Sequence, residues 1–101
     1  MRRDKMAAMG LEGVELVMEV EDEFAISISD EAAQQAVTVG DLYNLVLRLV
    51  RESETSPLRG RADLEEHVWS RVQFLAAQNG HRLRSKQVTL QTRFIEDLGY
   101  G

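Results

Sequence analysis

The chain has no cysteine, one proline and one tryptophan among its 101 residues. Without cysteine it can form no disulfide framework, no thiol nucleophile and no thiolate metal site. Its two histidines, His67 and His81, are isolated and lack metal-ligand spacing, so we expect both at the surface rather than in a metal centre.

Long apolar runs are also missing. No stretch approaches the ~18 residues needed to span a bilayer. The basic first residues, Met-Arg-Arg-Asp-Lys, are followed by no apolar signal core. We therefore expect a cytoplasmic protein with no membrane partner.

The composition is that of a soluble globular domain, with 44% hydrophobic and 29% charged residues. A chain of 101 residues is long enough for one domain with a small core. We predict a flexible lead-in over residues 1–10 and a single domain over residues 11–101.

Basic residues are missing from one part of the chain. Residues 11–31 carry eight carboxylates and no lysine or arginine, whereas twelve basic residues outnumber nine acidic ones elsewhere. One segment therefore supplies the whole net charge of −5. An acidic face repels nucleic acid and attracts basic protein surfaces. The small basic cluster at residues 81–86 is weak evidence for nucleic-acid binding, which we do not expect.

The hydrophobic pattern predicts three main helices and one short one. The first helix has a stripe at helical spacing with carboxylates between its members; the stripe is Leu11, Val14, Val17, Met18, Glu21 and Phe24. Leu16 and Val20 widen its apolar part, so we expect the helix to be half buried on a broad face. A short helix over residues 30–36 follows, with Ser29 or Asp30 as its N-cap. Thr38 caps the third helix, which carries Asp41 in its first turn and runs to about Arg51.

The second half of the chain begins with a flexible linker over residues 52–62, which contains the only proline. We expect Asp63 to cap the fourth helix, with Glu66 in capping-box position, and Gly80 to end it. Its predicted buried stripe is Leu64, Val68, Val72, Leu75 and Ala76. Residues 81–101 are expected to be mostly loop, anchored by Val88, Leu90, Phe94, Ile95 and Leu98.

Two separate segments of the chain each match one half of a recognisable sequence motif. Residues 94–101 read F-I-E-D-L-G-Y-G, and residues 10–24 read G-L-E-G-V-E-L-V-M-E-V-E-D-E-F. Set end to beginning, they resemble the core of the acyl carrier protein family, F-x-x-D-L-G-x-D-S-L-D-x-V-E-L-V-M-x-x-E-x-x-F. The V-E-L-V-M run is the most specific part of the match.

The resemblance implies an all-α, four-helix bundle with circularly permuted connectivity. Residues 11–51 correspond to the family's helices II–IV, and residues 63–101 to its helix I and the following loop. A linker of eleven residues spans roughly 17–20 Å on average, enough to cross one end of a small bundle. The alternative is a domain-swapped dimer; we favour closure within one chain as a monomer.

The family attaches 4′-phosphopantetheine to a serine that is absent here. Its position falls on Gly10, and the forward alignment reaches Gly101 before any serine. The resemblance therefore implies that this chain is not pantetheinylated and has no cofactor. No nucleophile–base or metal constellation can be assembled, so an enzyme is not expected.

The family's docking surface is its acidic helix II. By position, the docking residues here are Glu12, Glu15, Met18, Glu21 and Asp22. Their alternative role is that of an ordinary solvated helix face. We predict a carrier-like protein that docks to a basic surface of a fatty-acid or polyketide biosynthetic enzyme or transferase. The alternatives are a genuine acyl carrier whose attachment site is displaced or lost, and an interaction protein that keeps only the fold.

Overall fold

The computed structural model describes residues 10–101, and their regular elements are all helical. The helices are α1 (Gly10–Phe24), α2 (Asp30–Gln34), α3 (Val39–Glu52) and α4 (Leu64–Asn79), with a 3₁₀ turn at Ser85–Gln87. Within these residues the only β-type pairing is an isolated bridge between Thr38 and Arg93. The all-α prediction is therefore confirmed for this part of the chain.

The first turn of α1 begins one residue earlier than predicted, at Gly10. The rest of the predicted lead-in, residues 1–9, lies outside the described residues. In the described part, no helix is both long and apolar enough to cross a membrane.

The start of α3 is capped twice, by its own side chains and by residues 81–101, which we call the tail. The Thr38 hydroxyl accepts from the Asp41 amide at 3.1 Å, and the Asp41 carboxylate accepts from the Thr38 amide at 3.0 Å. This is the predicted capping arrangement. The next free amides find acceptors farther along the chain, since the first turn of a helix has none of its own.

Those acceptors lie in residues 88–94, which cross the N-terminus of α3. The amide of Val39 donates to the carbonyl of Thr92 at 2.8 Å, and the amide of Gly40 donates to the carbonyl of Leu90 at 2.9 Å. A Cβ atom at Gly40 would lie only 2.5 Å from the Leu90 carbonyl oxygen. Glycine is therefore required at position 40 for this close approach.

α4 packs against both α1 and α3 through the stripe predicted for it. Leu64, Val68, Val72, Leu75 and Ala76 are all buried. The predicted capping box at its start is wrong, because the Asp63 side chain caps no amide. The Asp63 carboxylate instead pairs with the guanidinium of Arg61, a charged donor two residues away.

The C-terminus of α4 is closed by the tail. The buried hydroxyl of Tyr100 donates to the Ala76 carbonyl at 2.7 Å, and within α4 the side-chain amide of Asn79 donates to the Leu75 carbonyl at 2.9 Å. α4 ends at Gly80 as predicted, although Gly80 does not adopt a left-handed conformation. A Cβ atom at Gly80 would lie 2.9 Å from the Leu98 carbonyl oxygen, so the glycine makes room for the tail.

The connection between α3 and α4 is folded into successive turns. The amides of Arg59, Arg61 and Leu64 donate to the carbonyls of Ser56, Leu58 and Arg61 respectively. Leu58 packs against the core from this segment. The predicted linker is therefore an ordered strap across one end of the bundle.

Three of the five predicted tail anchors are buried: Val88, Phe94 and Leu98. The other two predictions are wrong, because Leu90 is 45% exposed and Ile95 is 46% exposed. At Leu90 the backbone carbonyl, rather than the side chain, contacts α3.

Candidate functional site: the outer face of α1

The solvent side of α1 carries a narrow stripe of alternating apolar and acidic side chains. We call it the outer stripe, and it consists of Leu11, Glu15, Met18 and Asp22. Intervals of four, three and four residues place these side chains on one face of a helix. Leu11 is 69% exposed and Met18 is 43% exposed. Leu11 and Met18 therefore do not belong to the buried stripe predicted for α1, and Met18 is exposed, as its other prediction as a docking residue requires.

The opposite face of α1 explains why these residues point outward. Val14, Leu16, Val17, Val20 and Phe24 are buried and occupy one broad side of the helix. The outer stripe lies on the opposite side, where it meets no other helix. The wide apolar arc formed with Leu16 and Val20 was the sequence signal that could have identified Leu11 and Met18 as exposed.

The acidic residues of α1 divide into two groups. Glu15 and Asp22 of the outer stripe have no hydrogen bond or ion pair with any described residue. A second group, Glu12, Glu19 and Glu23, lies along the adjoining face and contacts the second half of the chain. We call this group the tethering stripe.

Each member of the tethering stripe has a partner on α4 or the tail. Glu23 forms a bidentate ion pair with Arg71, in which Nη2 of Arg71 lies 2.9 Å from a carboxylate oxygen. Glu19 accepts from the side-chain amide of Asn79 at 2.9 Å. Glu12 accepts from the backbone amide of Gly101 at 3.3 Å.

Glu12 thus lies at the junction between α1 and the tail. Hydrogen bonds from backbone amides, its own and then that of Gly101, hold the pKa of the Glu12 carboxyl below its usual range. Of the predicted docking residues, Glu12 is therefore partly occupied by an intramolecular contact.

The predicted docking residue Glu21 lies on the inner side of α1, with only 9% of its surface exposed. Its carboxylate accepts from the amide of Ile28 at 2.8 Å. The chain turns back at Ala25, which has a positive φ of 54°, and so brings Ile28 to the end of α1. Glu21 thus orders the loop after α1 and does not share the outer stripe with Glu15, Met18 and Asp22.

A shallow depression borders the outer stripe at its C-terminal end. It has a volume of about 250 Å³ and is lined by Met18, Glu21 and Asp22 of α1 and by the loop residues Ala25, Ile26 and Ser27. The exposed thioether side chain of Met18 stands beside it. An incoming side chain could therefore contact an adaptable apolar group and a carboxylate together.

The position that aligns with the family's serine lies in a tight glycine contact. Gly10 has a φ of +70°, and a Cβ atom there would be 3.0 Å from backbone atoms of Gly101. Gly101 itself has a φ of +133°. The two segments of the carrier-like motif therefore meet in space, and neither glycine offers a hydroxyl.

The histidines show no ligand cluster. His67 makes an edge-on contact with the ring of Phe24, with centroids 6.2 Å apart, and His81 is exposed. Residues 10–101 contain no group of three histidine, cysteine or acidic side chains arranged to hold a metal ion. No protein-family model matches the chain, and no solved structure matches it.

Proposed function

We propose that this chain is an acyl-carrier-like protein with permuted connectivity. In this proposal it docks through the outer stripe to a basic surface on an enzyme of fatty-acid or polyketide-type biosynthesis. It carries no prosthetic group and performs no catalysis of its own. The observation that carries the proposal is the outer stripe, where two carboxylates without an ion-pair partner among residues 10–101 alternate with two exposed apolar side chains.

The geometry of the junction supports the permuted connectivity. In a carrier of ordinary order, the segment equivalent to residues 94–101 would run directly into the segment equivalent to α1. Here Gly101 lies against Gly10, and the Gly101 amide reaches the first turn of α1 at Glu12. The two segments thus lie in contact although they stand at opposite ends of the described residues, and this contact supports the proposed permutation.

The outer stripe has the chemistry of a steered docking surface. Unpaired carboxylates raise the association rate with a basic partner and select against acidic ones. Leu11 and Met18 supply apolar area that is removed from water on binding. The tethering stripe is less suited to this role because its carboxylates already bind α4 and the tail.

Docking is tested by binding to carrier-dependent acyltransferases with basic docking patches, measured by titration calorimetry at low and high salt. We expect the double variant Glu15→Lys with Asp22→Lys to bind at least about 10-fold more weakly at low salt, since two close charge contacts become repulsive. The matched control is Glu52→Lys with Glu54→Lys, which changes the net charge equally outside α1. Equal losses of affinity in both double variants would show that net charge alone causes the effect, and would contradict a defined docking face.

The proposed absence of a prosthetic group has its own test. The protein is incubated with coenzyme A and a broad-specificity phosphopantetheinyl transferase, and its intact mass is measured beside a conventional carrier. We expect an unchanged mass, because no hydroxyl stands at Gly10 or Gly101. A gain of one phosphopantetheine would favour the alternative of a genuine carrier with a displaced site, and peptide mapping would locate it.

A further inference from the structure

A second surface, on the α3–α4 side of the molecule, has a different composition. We call it the aromatic hollow; it is lined by Tyr43, Glu65, Glu66, Trp69 and Leu90 and has a volume of about 260 Å³. The rings of Tyr43 and Trp69 meet edge to face, with centroids 5.6 Å apart and planes at 82°. Two perpendicular aromatic rings form a corner with an almost wholly apolar lining.

The fold holds the walls of this corner in place. Trp69 and Tyr43 pack against the core along one edge, which restricts their rotation. Leu90 is held by the hydrogen bond from the Gly40 amide to its carbonyl, so its side chain remains 45% exposed beside the rings. The walls of the hollow are therefore held by packing against the core and by a backbone hydrogen bond.

The rim of the hollow is acidic. Glu65 and Glu66 lie one helical turn before Trp69 and hence on the same side of α4. Arg51 pairs with Glu65 at 2.8 Å, whereas Glu66 forms no hydrogen bond or ion pair with any described residue. One carboxylate beside the rings is thus free to meet a cation.

The electrostatic balance at Tyr43 points the same way. Burial raises the pKa of the Tyr43 phenol, and the charge of Glu65 raises it further against the weaker opposing effect of Arg51. At the Tyr43 ring the effect of the Glu65 charge therefore exceeds that of the Arg51 guanidinium.

We propose that the aromatic hollow binds a lysine or arginine side chain presented by a partner protein. The aliphatic stem would lie against Leu90 and Trp69, and the cationic head would lie over the rings beside Glu66. An aromatic face attracts a cation through its quadrupole, and tryptophan, tyrosine and arginine dominate the energetics of protein interfaces.

The hollow is open to solvent, which favours a side chain of a partner protein over a free small molecule as its ligand. Small-molecule sites bury most of the ligand surface, but here Leu90, Glu65 and Glu66 are exposed at the rim. A cation carried on a protein surface needs only one side of the hollow. The carboxylates exclude an acidic partner, and their desolvation disfavours a purely apolar one.

Trp69 is the only tryptophan, so its fluorescence reports directly on the hollow. The probes are acetylated and amidated pentapeptides Gly-Gly-X-Gly-Gly, with X as lysine, arginine or norleucine, and tetramethylammonium as a free cation. We expect the lysine or arginine peptide to bind at least about 5-fold more tightly than the norleucine peptide, the factor equivalent to about 1 kcal/mol of cation–π attraction. Two-dimensional NMR of the Trp69 indole N–H provides the same titration without fluorescence.

The variant Glu66→Gln should weaken binding of the cationic peptides about 3-fold or more and leave the norleucine peptide unchanged. The matched control, Glu54→Gln, removes an exposed carboxylate outside the hollow and should change neither. Circular dichroism of both variants checks that the fold is intact.

Three outcomes would overturn the proposal. Equal binding of norleucine and lysine peptides, or no binding of any peptide, would show that the rings are a plain apolar surface. Tighter binding of tetramethylammonium than of either cationic peptide would show a small-cation site instead of a docking site. Because these probes do not involve α1, the result is independent of docking through the outer stripe.

Discussion

The two acidic stripes of α1 have the same side-chain chemistry but opposite situations. Glu12, Glu19 and Glu23 of the tethering stripe are used by the fold, since each accepts hydrogen bonds from α4 or the tail. The side chains of Glu15 and Asp22 in the outer stripe form no hydrogen bond or ion pair with any described residue. A rotation of about 80–100° around the helix axis separates the carboxylates that bind α4 or the tail from those of the outer stripe. The acidic segment therefore cannot be treated as one surface.

The comparison extends to the aromatic hollow. The outer stripe surrounds flexible apolar side chains with charge, so electrostatic steering should dominate its binding. The hollow surrounds fixed rings with one free carboxylate, so contact with the rings should dominate there. The two surfaces should consequently differ in salt dependence, which is strong for the outer stripe and weak for the hollow.

The largest expected effect comes from breaking the anchor of the tail, which supplies the partner of Glu12 in the tethering stripe. Phe94 is fully buried and contacts the ring of Tyr100, with centroids 5.2 Å apart. Phe94→Ala should lower the free energy of unfolding by about 3–5 kcal/mol, measured by urea denaturation. At temperatures where the variant stays folded, hydrogen exchange should rise in residues 88–101 and less in α1. Uniform exchange across both regions would contradict a local anchoring role.

A smaller effect is expected at the contact between the tail and α4. Tyr100→Phe removes the donor to the Ala76 carbonyl and should cost about 1–3 kcal/mol, because a buried acceptor loses its partner. Burial, and then the charges of Glu12 and Glu19, raise the pKa of the Tyr100 phenol well above its ordinary value.

The pH dependence of this contact has a definite sign. Above about pH 10 the phenol ionises in the unfolded chain but stays protonated in the folded one, so the stability of the native protein falls as the pH rises. Urea denaturation between pH 8 and pH 11 should show a smaller decline in Tyr100→Phe. If stability falls as steeply with pH in Tyr100→Phe as in the native protein, other groups cause the decline. Tyr43→Phe is the comparison variant.

The smallest effect separates the two stripes directly. Glu23→Gln weakens a partly exposed pair with Arg71 and should cost about 0.5 kcal/mol at low salt, with less at high salt. Asp22→Asn, its neighbour on the outer stripe, should leave stability within about 0.5 kcal/mol of the native value. Thermal melts of both variants at two salt concentrations test the contrast, and a greater loss in Asp22→Asn would reverse the assignment of the stripes.

Periodicity was sufficient to predict the helices and most of the core. The stripe of α4 and the Thr38–Asp41 cap are both local patterns, and both appear in the structure. The capping box at Asp63 failed because Arg61 competes for the carboxylate, and a short motif does not register such competition.

The site was harder to predict than the helices. Glu15, Met18 and Asp22 could be placed on one exposed face, but Glu21 could not be recognised as inward-facing. Its position depends on Ile28, whose amide reaches it only after the turn at Ala25. The aromatic hollow was equally inaccessible, since Tyr43, Trp69 and Leu90 come together only when three separate segments pack.

The glycine contact at Gly10 also bears on how the chain reaches its fold. The hydrogen bond from Gly101 to Glu12 joins residues 89 positions apart, so it closes nearly the largest loop that the chain can form. Closure of so long a loop is entropically costly, and folding slows as contacts become less local. A rearranged chain that runs from residue 64 to residue 101 and directly on to residues 10–52 would make this contact local. Apart from the contacts of the omitted strap, such as that of Leu58 with the core, its packing would be the same. It should fold faster, because the contact now joins residues close in sequence.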